Sequence, residues 1–251
     1  MKMTVDLNAD LGEGAGHDLE LLDIVTSANI SCGFHAGDPA SVLRSIRDAV
    51  EKNVSVGAHP SFLDRGNFGR AQPELKPAEV FAQVTYQLGA FYQLASAAET
   101  AMKHVKPHGA LYNMAARDSE LADAIVQAIL VVDPYLILFA PPNSALTRAG
   151  EAAELRVVCE VFADRNYLSD GSLVPRDRPD ALLTDPVEAA RRVLRMLREG
   201  KVLSVEGHEV SVHAETICVH GDTPGAVEFA QSLQFELREN GIAISAPIAG
   251  R

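Results

Sequence analysis

Seven short apolar or β-branched runs alternate along the chain with longer segments whose apolar residues recur at three- and four-residue steps. The runs are TVDLNAD (4–10), SANISC (27–32), VSVGAH (54–59), KHVKPH (103–108), LILFAP (136–141), RVVCEVFAD (156–164) and TICVHG (216–221). Helical patterns fall near 18–26, 39–52, 77–101, 118–132, 143–153, 185–199 and 224–240. Proline in the first turn marks several helix starts, in DPASV, KPAEV and DPVEA. Strand–helix alternation of this kind builds a mostly parallel sheet covered by helices. Seven such units in 251 residues predict a (β/α)7-type, TIM-barrel-like fold, with an open doubly wound sheet as the alternative. The segment GKVLSVEGHEVSVHAE (200–215) breaks the rhythm and reads as an inserted hairpin turning at Glu206–Glu209. No linker or repeat divides the chain, so residues 1–251 read as a single domain.

Six of the seven runs end in reactive polar residues. The first ends in Asn8 and Asp10, the second leads to His35 and Asp38, and the third ends in His59. The fourth ends in His108, the sixth in Glu160 and Asp164, the seventh in His220 and Asp222. In a parallel barrel all strand C-termini open on one mouth, so residues far apart in sequence meet in one cavity. Asp38, just before Pro39, fits a helix N-cap at least as well as a catalytic role. His35, His59 and His108 each have a glycine close by, which lets backbone approach a ligand. His17, His104 and His208 fall outside the pattern and read as surface or structural residues.

Candidate anion binders are Lys106, Arg65, Arg70 and Arg165, because guanidinium and ammonium groups pair with carboxylate or phosphate. Arg191, Arg192 and Arg195 read instead as exposed helix-surface residues. The net charge of −12, with no basic block, argues against nucleic acid and anionic membrane surfaces. No run approaches the roughly 18 apolar residues of a membrane span, and the N-terminus lacks a signal-peptide core, so a cytoplasmic location is expected. Cys32, Cys159 and Cys218 lie in apolar runs and read as small buried hydrophobes. No Walker-type loop, dinucleotide fingerprint or G-x-S-x-G elbow is present.

The segments TVDLNADLGEG, SANISCGFHAGDP, GAHPSFLDRGNFGR, KPHGALYN, VFADRNY and ICVHGD, in this order from about residue 4 to 223, resemble the LamB/YcsF family, which includes the first of the three components of bacterial 5-oxoprolinase. The resemblance implies a barrel related to the glycoside hydrolase/deacetylase superfamily. It also implies ATP-dependent opening of the lactam 5-oxo-L-proline to L-glutamate, with ADP and phosphate released, Mg²⁺ accompanying ATP, and subunits B and C as partners. On that reading Asp10 and His59 carry proton transfer, while His35 and His108 orient groups or stabilise charge. Arg70 and Lys106 hold a carboxylate or phosphate, and Asn8, Glu13, Asp164 and His220 line the substrate. If a protein-bound divalent metal is present, Asp10, His35 and His59 are the expected ligands, as in related deacetylases. A stand-alone metal-dependent amide or carbohydrate hydrolase is the alternative, and homo-oligomerisation stays open.

Overall fold

A computed structural model describes residues 3–221 and 225–248; Asp222 and the expected start of the last helix at 224 lie outside the described residues. Strands β1 (Thr4–Leu11), β2 (Ser27–Ser31), β3 (Ser55–His59), β4 (His104–Val105), β5 (Ile137–Ala140), β6 (Arg156–Phe162) and β9 (Thr216–Val219) run parallel in that order. Pairing of β9 back onto β1, from Asp6↔Thr216 to Ala9↔Val219, closes them into a seven-stranded barrel. Closure leaves the seven-stranded ring itself without an open edge. The short strand β10 (Ala243–Ile244), which the sequence pattern does not reveal, pairs with Thr4 and Val5 below the point where β9 takes over. The expected hairpin forms as β7 (Lys201–Leu203) and β8 (Glu209–Ser211), an antiparallel pair outside the barrel.

The helices are α1 (Asp18–Leu22), α2 (Pro39–Glu51), α3 (Pro77–Ala97), α4 (Gly109–Ala115), α5 (Ser119–Val132), α6 (Ala145–Ala152), α7 (Pro186–Glu199) and α8 (Ala226–Glu239). Asp38 caps α2, accepting from the backbone N–H of Ala40 and Ser41, which settles its role as an N-cap. Helix α4 is the unexpected one: the run expected as strand 103–108 keeps only two ladder residues before the chain turns helical at Gly109. Among the described residues no helix is long and apolar enough to cross a membrane.

The alternation along β1 explains the layering. Val5, Leu7, Ala9 and Leu11 belong to the main apolar core, with helix residues such as Ile46, Leu88, Ile125 and Leu233. The alternate residues Asp6, Asn8 and Asp10 make their contacts across the barrel interior. The same period puts Ser27 and Asn29 of β2, His104 of β4, Glu160 of β6 and Thr216 and Cys218 of β9 on that inner side. Apolar plugs survive at Ile137, Phe139 and Val158 and, nearer the mouth, at Tyr112, Phe162 and Cys218, and Phe139 stacks on the His104 ring with centroids 4.3 Å apart. Gly57 makes room for that ring, since a Cβ there would stand 2.1 Å from His104 Nε2. His104 is therefore structural, neutral and buried, its imidazole pushed down to about 3 by loss of solvent.

A directional hydrogen-bond relay crosses this interior. His104 Nε2 donates to Asn29 Oδ1 (2.8 Å), Asn29 Nδ2 to Asn8 Oδ1 (2.7 Å), Asn8 Nδ2 to Thr216 Oγ1 (2.7 Å), and Thr216 to Asp6 Oδ2 (2.5 Å). Thr26 and Ser27 donate to the other Asp6 oxygen. Burial pushes the Asp6 carboxyl up to about 6 despite these donors. A carboxyl raised above its unfolded value of about 3.9 contributes stability below about pH 4 that is lost as pH rises through about 6. Asp6→Asn removes this dependence. Urea unfolding should show the stability of the native chain falling relative to the variant by about 2 kcal/mol between pH 4 and 7. A difference between the two proteins that is constant over that range overturns the assignment.

Candidate active site

The strand C-termini open on a cavity of about 490 Å³ lined by Asp10, Glu13, His59, Lys106, His108 and His220, with Arg70, Arg165 and Arg176 on its walls. This volume is typical of a small-molecule site. The loop 165–185 after β6 contributes to it, pinned by isolated bridges Arg165↔Leu182 and Tyr167↔Leu173.

Lys106 stands at the floor. Its ammonium is fully buried and lies 2.9 Å from both Asp10 Oδ1 and Glu160 Oε1, 3.1 Å from Cys218 Sγ and 3.4 Å from Asn8 Oδ1. Burial alone would discharge it, but Asp10, the Cys218 sulfur and Glu160 hold its affinity for a proton well above the usual lysine range. Conversely, burial would neutralise Asp10, and His59 and Lys106 instead hold that carboxyl well below the ordinary range. Lys106 is thus paired with the two carboxylates and helps to keep Asp10 ionised. Cys218 is buried as expected, yet it touches an ammonium rather than only apolar atoms.

Above this floor, three imidazoles and one carboxylate converge. His35 Nε2 lies 2.8 Å from Glu13 Oε1, His108 Nδ1 3.2 Å and His59 Nε2 3.6 Å from the same oxygen. His59 Nε2 and His108 Nδ1 are 2.9 Å apart, and the His35 and His108 rings stack with centroids at 3.8 Å. Burial pushes His35 down to about 4 and lowers His108. His59 moves up, because the Asp10 carboxylate, 3.3 Å from its Nε2, outweighs its burial. Glu13 sits well below the usual range, held there against burial by its close contacts with His108 and His35.

On the opposite wall, His220 Nδ1 is 2.8 Å from Asp164 Oδ2, which leaves Nε2 for the cavity. His220 holds Asp164 ionised against burial. One His220 ring nitrogen, an Asp10 oxygen and Cys218 Sγ lie within 4.8 Å of one another, so this pair faces Asp10. A histidine oriented by a carboxylate is a ready proton acceptor.

The expected site residues therefore gather at one mouth, in a different grouping. The Asp10, His35, His59 set does not form as such: His35 joins Glu13, His59 and His108, while Asp10 falls with Cys218 and His220. The reason is that Lys106, one strand-end residue further along, captures Asp10. His59 has both ring nitrogens engaged, with Lys106 O and His108. Arg65 is not an anion binder, since its guanidinium clasps the carbonyls of Gly33 and Gly37. Arg70 lies over the Phe68 ring at 4.9 Å and lines the cavity. Arg165 is buried at the wall, donating to Val174 O. Arg192, expected on the surface, instead reaches in to Ala163 O and Asn166 Oδ1 and supports the loop that carries Asp164. Ser61, a positioning residue the sequence pattern did not flag, meets His35 Nδ1 at 2.9 Å.

Removing the ammonium alone strands two buried carboxylates. Lys106→Met should lower unfolding free energy by about 3–5 kcal/mol, and adding Glu160→Gln should recover part of it. Denaturant titrations of the two variants read this directly; an unchanged Lys106→Met overturns it.

Comparison with known proteins identifies relatives of this architecture. A protein from Erwinia tasmaniensis, named as the A component of 5-oxoprolinase, is 52% identical over 244 residues, covering 97% of this chain and all of that one. Its namesake from Geobacillus kaustophilus is 50% identical over 248 residues, with 97% of each covered. The crystal structure of a lactam utilization protein from Thermus thermophilus superposes with a TM-score of 0.91 at 47% identity, covering 98% of this chain and all of that one. A family 4 carbohydrate esterase from Streptomyces lividans shares the fold at a TM-score of 0.50 and 13% identity, over 98% and 93% of the two chains. The LamB/YcsF family model matches residues 5–250. The chain belongs to the LamB/YcsF family.

Proposed function

We propose that this chain is the lactam-opening component of an ATP-dependent 5-oxoprolinase, acting in the cytoplasm with subunits B and C on 5-oxo-L-proline. The observation that carries the reading is the His220–Asp164 pair facing an ionised Asp10 inside one cavity whose walls carry Arg70 and Arg176. The names of the relatives from Erwinia tasmaniensis and Geobacillus kaustophilus support the same substrate.

A lactam carbonyl is a poor electrophile, which gives ATP a purpose. Transfer of the γ-phosphoryl group from Mg²⁺-ATP to the lactam oxygen yields ADP and an electrophilic phosphorylated imidate. Water then adds to that carbon while His220 takes its proton at Nε2, and Asp164 steadies the resulting imidazolium. The imidazolium returns that proton to the ring nitrogen, and the hydroxyl proton of the tetrahedral adduct follows through the same histidine as the C–N bond breaks to leave the amine. The product is an open-chain acyl phosphate, which a second water converts to L-glutamate and phosphate. Arg70 and Arg176 line the cavity and pair with the substrate carboxylate or the phosphoryl group.

Glutamate formation from 5-oxo-L-proline and ATP, measured with this chain alone and with subunits B and C, tests the reading. Turnover is expected only in the assembly, and His220→Ala should lower kcat there by about 10²–10⁴-fold. Full activity of His220→Ala overturns its role. ATP-independent amide hydrolysis by the chain alone would favour the stand-alone hydrolase.

A further inference from the structure

The corner formed by Glu13, His35, His59 and His108 carries an electrostatic problem that the protein groups alone do not solve. Each histidine has its outward ring nitrogen committed to an acceptor. His59 Nδ1 donates to Lys106 O (2.7 Å), and His108 Nε2 donates to Phe68 O (2.9 Å). His35 Nδ1 donates to Ser61 Oγ (2.9 Å), whose own hydroxyl hydrogen is directed to Phe62 O. These three acceptors fix each ring's neutral tautomer with its lone pair pointing inward. The inward atoms are His35 Nε2, His59 Nε2 and His108 Nδ1, and they meet one another and Glu13 Oε1, all within 4.8 Å. Four electron-rich atoms thus face each other in a buried pocket, with the His59 and His108 nitrogens only 2.9 Å apart.

With the Ser61 hydroxyl directed to Phe62 O, protons could fill the gap only by charging rings that sit against each other. One proton can bridge His59, His108 and Glu13, but the 2.8 Å contact from His35 Nε2 to Glu13 then needs a second. That would place two imidazolium rings face to face, 3.8 Å apart and 4° from parallel, both buried. A single divalent cation neutralises all four atoms at once. Adjacent donors around an ion at about 2.1 Å stand roughly 3.0 Å apart in octahedral and roughly 3.4 Å apart in tetrahedral geometry. The observed separations of 2.8 to 3.6 Å from Glu13 Oε1 span those values.

We propose that Glu13, His35, His59 and His108 bind one divalent transition-metal ion through Glu13 Oε1, His35 Nε2, His59 Nε2 and His108 Nδ1. Three imidazoles with one carboxylate suit zinc and its first-row neighbours, and suit Mg²⁺ poorly, so this ion is distinct from the one that accompanies ATP. The surroundings are built for ligand orientation. Phe68 holds a left-handed backbone (φ 57°) to present its carbonyl to His108. Gly69 beside it can carry no side chain, because a Cβ would stand 2.9 Å from the His108 ring and 3.0 Å from His35. Gln87 of α3 accepts from Ser61 N–H and donates to Ser61 O, fixing the acceptor of His35. Glu13, His59 and His108 also line the main cavity, so a bound ion would face substrate and could polarise a carbonyl or hold water. This last consequence rests on the reading of the site given under Proposed function; binding of the ion does not.

The test needs neither ATP, substrate nor partners. The full chain is stripped with a chelator, its fold checked by circular dichroism, and titrated with Zn²⁺, Mn²⁺ and Co²⁺ separately, with stoichiometry by elemental analysis and the Co²⁺ visible spectrum as readout of the ligand set. One ion per chain is expected. Glu13→Gln and His108→Gln should weaken binding by about 100-fold or more, and Ser61→Ala, which touches no ion, by about tenfold. Cys218→Ser, in the neighbouring group, should leave affinity unchanged. No binding of any of the three ions overturns the proposal, as does affinity that survives in Glu13→Gln and His108→Gln but falls in Cys218→Ser.

Discussion

One buried ammonium organises the interior of this barrel. Lys106 lies between Asp10 of β1 and Glu160 of β6, 2.9 Å from an oxygen of each, and with His59 it holds the Asp10 carboxyl ionised. Its attraction across the lumen ties β1 and β6 to the loop that follows β4, while its charge sets the protonation state of the residue nearest the cavity. Such an arrangement adds little to stability, because desolvating three charges offsets much of their mutual attraction. Its usefulness lies in holding a carboxylate charged where water is scarce.

The polar lumen displaces the apolar core to the annulus between strands and helices. Leu7, Ile30, Ile46, Leu88, Ile125, Leu138 and Leu233 all pack there. Inside, hydroxyls, amides and one histidine replace the branched side chains that usually fill a barrel of this kind. Each of the amides in the relay has its orientation dictated by its neighbour, because Thr216 directs its hydrogen to Asp6 and so must accept from Asn8. Linked donors and acceptors of this sort hold one arrangement rather than several.

Much of the architecture was legible from period and punctuation. Apolar runs marked the seven strands to within a residue or two at most ends, Asp38–Pro39 marked the start of α2, and the strand ends located the mouth. What the pattern could not supply was direction within the mouth. Asp10 and His59 both stand at strand ends, yet Lys106, just past the end of β4, decides that Asp10 belongs with the floor. Ser61 and the Phe68 carbonyl decide which way the imidazoles turn, and neither a lone serine nor a backbone oxygen carries a sequence signal. Helix α4 was hidden because seven residues hold barely two turns of periodicity. Strand β10 has only two residues and pairs with the opposite end of the chain. Arg192 looked like surface because its helix is amphipathic; its long stem lets the guanidinium reach back to Ala163 and Asn166.

The seam between β1 and β9 has a bearing on biosynthesis. Asp10 comes from the first strand and His220 from the end of the last barrel strand, some two hundred residues later, and they become neighbours only when that seam zips. A nascent chain still lacking β9 has an unclosed sheet, an Asp6 without its Thr216 donor and an Asp10 without His220. Ring closure over so long a sequence separation is intrinsically slow. The juxtaposition of Asp10 and His220 is therefore postponed until the ribosome has delivered the final barrel strand.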